Sequence, residues 1–163
     1  MDMTVYTQGD IAAVYSRNVG RVYRICYLRL KNAADAEDAC QNVFLRYLRH
    51  PKTFRDEEHE KAYFIVCAQN ESKNAVRNYW RSHWTGEEPE TGSADAAENS
   101  GEDLTEILLA LPEKYSEVLY LYYYEGYTTK EIAALLHRTE SAVRTQLARG
   151  RILLKADLEG NLK

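Results

Sequence analysis

The chain of 163 residues is 45% hydrophobic and 28% charged, with a net charge of −4. That balance excludes a disordered chain, a collagen-like repeat and a disulfide scaffold. No run approaches the roughly 18 apolar residues of a membrane span, and Met1 to Asp10 lack the basic flank and apolar run of a secretory leader.

The charge is unevenly spread. Residues 1–85 hold 13 basic and 10 acidic residues, a net of +3, and residues 106–163 hold 8 of each. Residues 86–105 hold 7 acidic residues and no basic one. Acidity is therefore concentrated in one short segment rich in Gly, Ser and Glu and without hydrophobic periodicity, which reads as a flexible tether. The expected architecture is all-α. A helical bundle over residues 1–85 and a helix-turn-helix domain over 104–163 are joined by an acidic linker over 86–103.

In the first domain, Val14, Tyr15, Val19, Val22, Tyr23 and Cys26 recur three and four residues apart and predict a helix. Asp35 is the expected N-cap of a second helix, with Glu37 and Asp38 in its first turn, where the helix dipole favours carboxylates. Ala36, Ala39, Cys40, Val43 and Tyr47 form its inner stripe, and Pro51 ends it. Residues 52–61 are polar and read as a loop or short helix. A long helix is expected over Ala62 to Arg81, with Ile65, Ala68, Ala75, Val76 and Tyr79 inward. Cys26, Cys40 and Cys67 sit in helical patterns and read as reduced thiols of a cytoplasmic protein.

In the second domain, a short helix from Leu104 to Leu111 stops at Pro112. Tyr115, Val118, Leu119 and Tyr122 then mark a helix that Gly126 terminates. Thr128 to Glu131 form a capping box opening a helix with Ile132, Leu135 and Leu136 inward. His137 to Thr139 make a tight turn, and Thr139 caps a last helix with Val143, Leu147, Gly150 and Leu154 inward. Two short helices joined by three residues, the second one basic, form a helix-turn-helix pattern.

Three surfaces are candidates for function. On the last helix, Ser141, Arg144, Thr145 and Ala148 oppose the inner stripe, where base edges are read, while Arg149, Arg151 and Lys155 suit phosphates. From Lys130 to Lys155, six basic residues face two acidic ones. On the long helix, Asn70, Lys73, Arg77 and Arg81 form a basic stripe, with Tyr63, Trp80 and Trp84 nearby as stacking surfaces for bases. On the second helix, Asp38, Gln41, Asn42 and Leu45 form an outer stripe suited to a protein contact. Each stripe is also what a solvated helix face looks like. No Gly-rich phosphate loop, His-Glu-x-x-His or paired-cysteine metal motif occurs, so neither enzyme, cofactor nor metal is expected.

Three segments carry a family resemblance. They are Asp35-Ala-Glu-Asp-Ala-Cys-Gln-Asn-Val-Phe-Leu-Arg46, Leu111-Pro-Glu-Lys-Tyr-Ser-Glu-Val-Leu-Tyr120, and the stretch from Tyr127 to Lys155. The chain resembles bacterial sigma factors of the sigma-70 family, in the extracytoplasmic-function group, from about Ile11 to Lys155. The resemblance implies core RNA polymerase and promoter DNA as partners, and leaves room for an anti-sigma factor. It implies that Asp38, Gln41, Asn42 and Leu45 contact the polymerase clamp. Tyr63, Asn70, Lys73, Arg77 and Arg81 would handle the minus-ten element, and Ser141, Arg144, Thr145, Arg149, Arg151 and Lys155 the minus-thirty-five element. The chain departs from the family pattern at Asn42, usually Glu, and Tyr63, usually Trp. It departs also at Val66, Asn74, His137 and Gln146, where a basic residue, Asp, Gly and Arg are frequent. The competing class is an autonomous helix-turn-helix regulator that binds an operator without polymerase.

Overall fold

The computed structural model describes residues 11–82 and 103–161. The chain divides into two compact units, taken in turn below. All described elements are helical. The segment read as an acidic linker lies outside the described residues, except for Asp103, as do Met1 to Asp10 and Trp84.

The first unit is a three-helix bundle of α1 (Ile11–Leu30), α2 (Ala33–Arg49) and α3 (Glu57–Ser82). Val14, Val22, Ile25 and Cys26 of α1 meet Ala36, Ala39, Cys40, Val43 and Phe44 of α2, and Phe64, Ile65 and Ala68 of α3, all buried. The inner stripe expected for α2 is the observed one. That of α1 is shifted: Tyr15 is exposed, and the buried positions include Asn18.

Two helix starts differ from expectation. The N-cap of α2 is Asn32, whose side chain accepts from the Asp35 amide at 3.0 Å. Asp35 is instead the capped residue of the first turn, where its charge favours the dipole. Lys31, with φ of 54°, makes the reversal between α1 and α2. Helix α3 begins at Glu57, five residues ahead of Ala62. Asp56 caps it through the His59 amide at 2.8 Å.

The early start of α3 has a cause within the core. Glu60 is only 3% exposed. Arg17 donates to both its carboxylate oxygens, at 2.9 Å each, and Asn18 donates to one at 2.7 Å. Asn18 also donates to the Val14 carbonyl at 2.8 Å and accepts from Arg21 at 2.6 Å. Every polar atom of the buried Asn18 amide is thus satisfied, as burial requires. A second clasp lies further along α3, where Asn42 and Arg46 donate to the two oxygens of Glu71 at 3.2 and 3.4 Å.

The second unit holds α4 (Asp103–Leu108), α5 (Glu113–Leu119), α6 (Thr129–Leu136) and α7 (Glu140–Asn161). Between α5 and α6 the chain widens into a π-turn over Tyr120–Tyr124, in which the Glu125 amide reaches back five residues to the Tyr120 carbonyl at 3.2 Å. The uniform helix expected here is therefore interrupted. The π-turn lets Ser116 to Leu121 all be buried, while Tyr124 stacks on Tyr120 at 5.1 Å. Gly126 follows at a φ of +79°, a conformation that costs only glycine nothing. Helix α7 crosses α5 at Gly150, where an added Cβ would lie 2.9 Å from Leu119 Cδ1.

Replacing Glu60 with Ala should lower the stability of the first unit by about 3 kcal/mol, because the buried Asn18 amide and the part-exposed Arg17 guanidinium both lose the carboxylate they donate to. That corresponds to a fall in melting temperature of at least about 10 °C, measurable by circular dichroism. Thiol chemistry yields a second expectation. Cys26 and Cys40 are buried, and burial pushes both thiols up, Cys40 from 9.0 to about 11. The unfolded thiol ionises first, so the stability this site contributes is intact below pH 9 and lost as pH rises towards 11. Denaturation midpoints should fall across that window, and Cys40→Ala should flatten the decline.

Candidate nucleic-acid and protein interfaces

The recognition motif is built from backbone chemistry legible in the chain. Thr128 accepts from the Glu131 amide at 3.2 Å and Glu131 accepts from the Thr128 amide at 2.9 Å, a complete capping box that opens α6. His137 ends α6 in the left-handed conformation, φ 55° and ψ 46°. Thr139 then caps α7 through the Ala142 amide at 3.1 Å. Val143, Leu147 and Gly150 are buried, and Leu154 is half-buried.

This packing leaves Ser141, Arg144, Thr145, Ala148, Arg149, Arg151 and Lys155 exposed. Their local bonds separate them. Arg144 pairs with Glu140 one turn back, and the Thr145 hydroxyl donates to the Ser141 carbonyl at 3.0 Å. Arg151 donates through Nε to the Tyr123 hydroxyl at 2.7 Å.

Sequence reasoning missed the residues that hold the motif. Arg138, in the turn, pairs with the buried Glu117 of α5 and donates to Gln146 of α7 at 3.0 Å. One guanidinium thereby ties the turn to both helices. Gln146, a departure from the family pattern, is the acceptor that Arg138 uses. The available signal was Glu117 itself, a carboxylate inside an apolar run.

In the first unit, Asn70, Lys73, Arg77 and Arg81 are all exposed. At about 100° per residue they lie opposite Phe64, Ile65 and Ala68. Trp80, 38% exposed, falls at the edge of that stripe, whereas Tyr79, expected inward, continues the line of Ile65 and Ala68 but is equally exposed near the end of the helix. Tyr63 is placed differently. Its ring packs on Phe54 at 5.3 Å and on Phe64 at 5.1 Å, with the Lys52 ammonium 4.9 Å from its centroid. Burial pushes its hydroxyl well above the ordinary tyrosine value, helped by Cys67 beside it. Tyr63 is thus part of the aromatic core that supports the loop before α3.

On α2, Asp38, Gln41 and Leu45 share an outer face. Leu48, missed from sequence, extends it, and both leucines are 47% exposed. Asn42 is exposed but turned towards Glu71 by its hydrogen bond. Among the described residues no cluster of His, Cys, Asp or Glu could hold a metal ion, and no helix is long and apolar enough to cross a membrane.

Comparison with known proteins matches both units to one family. Residues 14–82 match Sigma-70 region 2 and residues 101–154 match Sigma-70, region 4. The chain belongs to the sigma-70 family, in its extracytoplasmic-function group. It is 24% identical to the ECF RNA polymerase sigma factor SigW of Bacillus subtilis, over 91% of this chain and 87% of that protein. It is 30% identical to the probable RNA polymerase sigma factor RfaY of Xanthomonas campestris pv. campestris, over 78% of this chain but 35% of the longer RfaY. The fold is similar to that of the sigma factor RpoE of Bartonella quintana, solved in complex with the anti-sigma factor NepR. The TM-score is 0.71 at 16% identity, covering 92% of this chain and 97% of that one. In sigma-70 terms, α1 to α3 are region 2 and α4 to α7 are region 4.

The Arg138 clasp makes a region 4 prediction. Arg138→Met leaves the Glu117 carboxylate buried without its cation, and should destabilise the second unit by about 3 kcal/mol. Adding Glu117→Met should restore most of the loss, since an apolar pair of similar volume substitutes well for a buried ion pair. Denaturant unfolding followed by NMR of the Ile132 and Leu136 methyl groups separates the two cases.

Proposed function

We propose that this chain is a non-catalytic specificity subunit that binds core RNA polymerase, directs it to a class of promoters and assists opening of the duplex. The observation that carries the reading is the helix-turn-helix of the second unit, whose last helix turns Ser141, Arg144 and Thr145 outward from the buried Val143 and Leu147. Within this reading, residues 104–163 recognise the minus-thirty-five element, with Arg149, Arg151 and Lys155 on phosphates. Residues 1–85 bind the polymerase clamp through Asp38, Gln41, Asn42 and Leu45, and the minus-ten strand through Tyr63, Asn70, Lys73, Arg77 and Arg81. Residues 86–103 tether the two.

The division of labour follows from chemistry. A basic stripe suits a phosphate backbone, and its dependence on salt is the electrostatic signature of such binding. A face with two exposed leucines ringed by Asp38 and Gln41 suits a protein partner, because burying those leucines stabilises a complex while polar neighbours set the register. Each promoter element alone is bound weakly. Covalent linkage raises the effective concentration of the second contact once the first is made.

Core polymerase offered to the full chain should be retained. The Asp38→Arg, Leu45→Ala double variant should bind about 30-fold more weakly, the effect of losing a contact of about 2 kcal/mol, with helical circular dichroism unchanged. With core polymerase present, permanganate should mark unpaired thymines near the start site. Equal retention of polymerase by the folded double variant would remove the assignment of α2. Tight duplex binding by the chain alone, with no melting when core is added, would favour an autonomous regulator.

A further inference from the structure

The tyrosine-rich π-turn has no role in the reading above, although one of its side chains holds a basic residue of the recognition helix. Tyr122 and Tyr123 stand edge to face, with ring centroids 4.9 Å apart. The guanidinium of Arg151 lies 5.6 Å from each centroid, and its Nε–H donates to the Tyr123 hydroxyl oxygen at 2.7 Å. Arg17, Arg46, Arg138 and Arg144 each pair with a glutamate. Among the described residues, no carboxylate pairs with Arg151.

The hydrogen-bond inventory shows what this arrangement leaves available. Arginine has five N–H donors in a rigid plane. Nε spends one on Tyr123, so the two terminal nitrogens keep theirs. The Tyr123 oxygen accepts that bond, so its own proton points elsewhere and remains available to donate. Tyr123 is 52% exposed, and Arg151 is exposed beside it. The two rings fix the plane of the guanidinium, which reduces the side-chain entropy lost when its outer edge takes a ligand. The ligand that fits is a tetrahedral oxyanion bridging guanidinium and hydroxyl.

Position favours one source of that anion. Arg151 is seven residues, about 10 Å, along α7 from Arg144 and on nearly the same side of the helix. That places it beyond the base-reading residues, where backbone phosphates are contacted. We propose that Arg151 and Tyr123, seated on Tyr122 by the π-turn, form a two-residue clamp for one phosphate of the DNA backbone. This rests on the reading of α7 as the recognition helix. The π-turn is what makes the clamp possible: it buries Tyr120 and Leu121 while turning the next two tyrosines towards α7, and such turns recur at functional sites.

Fluorescence anisotropy of the full chain with a random-sequence duplex of about 30 base pairs, at about 25 to 150 mM salt, tests the clamp. Tyr123→Phe removes a neutral donor. It should weaken binding roughly three- to tenfold at every salt concentration and leave the salt slope unchanged. Arg151→Ala should weaken binding and reduce the slope by about 0.9, one phosphate contact. Adding Tyr123→Phe to Arg151→Ala should then cost less than it does alone. A Tyr123→Phe variant with a lower melting temperature but wild-type DNA affinity and slope would make the arrangement purely structural and overturn the clamp. Wild-type binding that survives both substitutions would also overturn it, with the reading of α7 intact. A wild-type chain that binds no duplex at any salt concentration, alone or with core polymerase, would overturn both.

Discussion

Each unit is held in register by a glutamate that sits in the interior and is clasped by an arginine from another element. Glu60 is gripped by Arg17, Glu71 by Arg46 and Glu117 by Arg138. Apolar burial drives these small bundles together but carries no direction. A carboxylate that must meet its donors permits one arrangement, since leaving it buried and unmet is far costlier than exposing it. The arginines keep part of their surface in water, so the clasps avoid the full desolvation penalty of a buried pair. Glu60 sets how α3 lies against α1, and Glu117 sets how the α6–α7 turn lies against α5.

The outer faces follow from that registration. Once α3 is turned to bring Glu60 and Glu71 inward, Asn70, Lys73, Arg77, Trp80 and Arg81 must face out. The Glu71 clasp also turns Asn42 and Arg46 towards α3, leaving Asp38, Gln41, Leu45 and Leu48 as the outer face of α2. In the second unit, the Arg138 clasp and the Val143–Leu147 stripe together orient the first turns of α7. The region 2 and region 4 surfaces of this sigma factor are therefore products of a few buried acids as much as of its surface charges.

Much of this was legible before the structure, and the misses share a cause. The capping box at Thr128, the stop at Gly126, the cap at Thr139 and the inner stripe of α7 are local, and a local code can be read. The start of α3 was placed at Ala62 because residues 57–61 include no apolar residue to extend a stripe. What makes them helical is Glu60, whose partners lie more than forty residues away. Asn32 and Asp35 are both good capping residue types, and the reversal at Lys31 places Asn32 at the cap. The π-turn was invisible because a period of 3.6 was assumed throughout. The half-buried setting of Tyr63, against Phe54 and Phe64, depends on a loop whose path the sequence does not announce.

Gly150 gives α7 an unequal division. On one side, Val143 and Leu147 press the helix into the unit. On the other, most residues from Arg151 to Gly160 are exposed, with Leu154 and Asp157 only partly covered. At Gly150, α7 lies so close to α5 that a single added methyl group would press on the Leu119 side chain. The helix is continuous over this length, so its outer half keeps the axis that the packed half sets. The exposed Ile152, Leu153 and Leu158 are thereby presented on a straight extension of the same helix that carries Ser141 and Arg144 at its packed end.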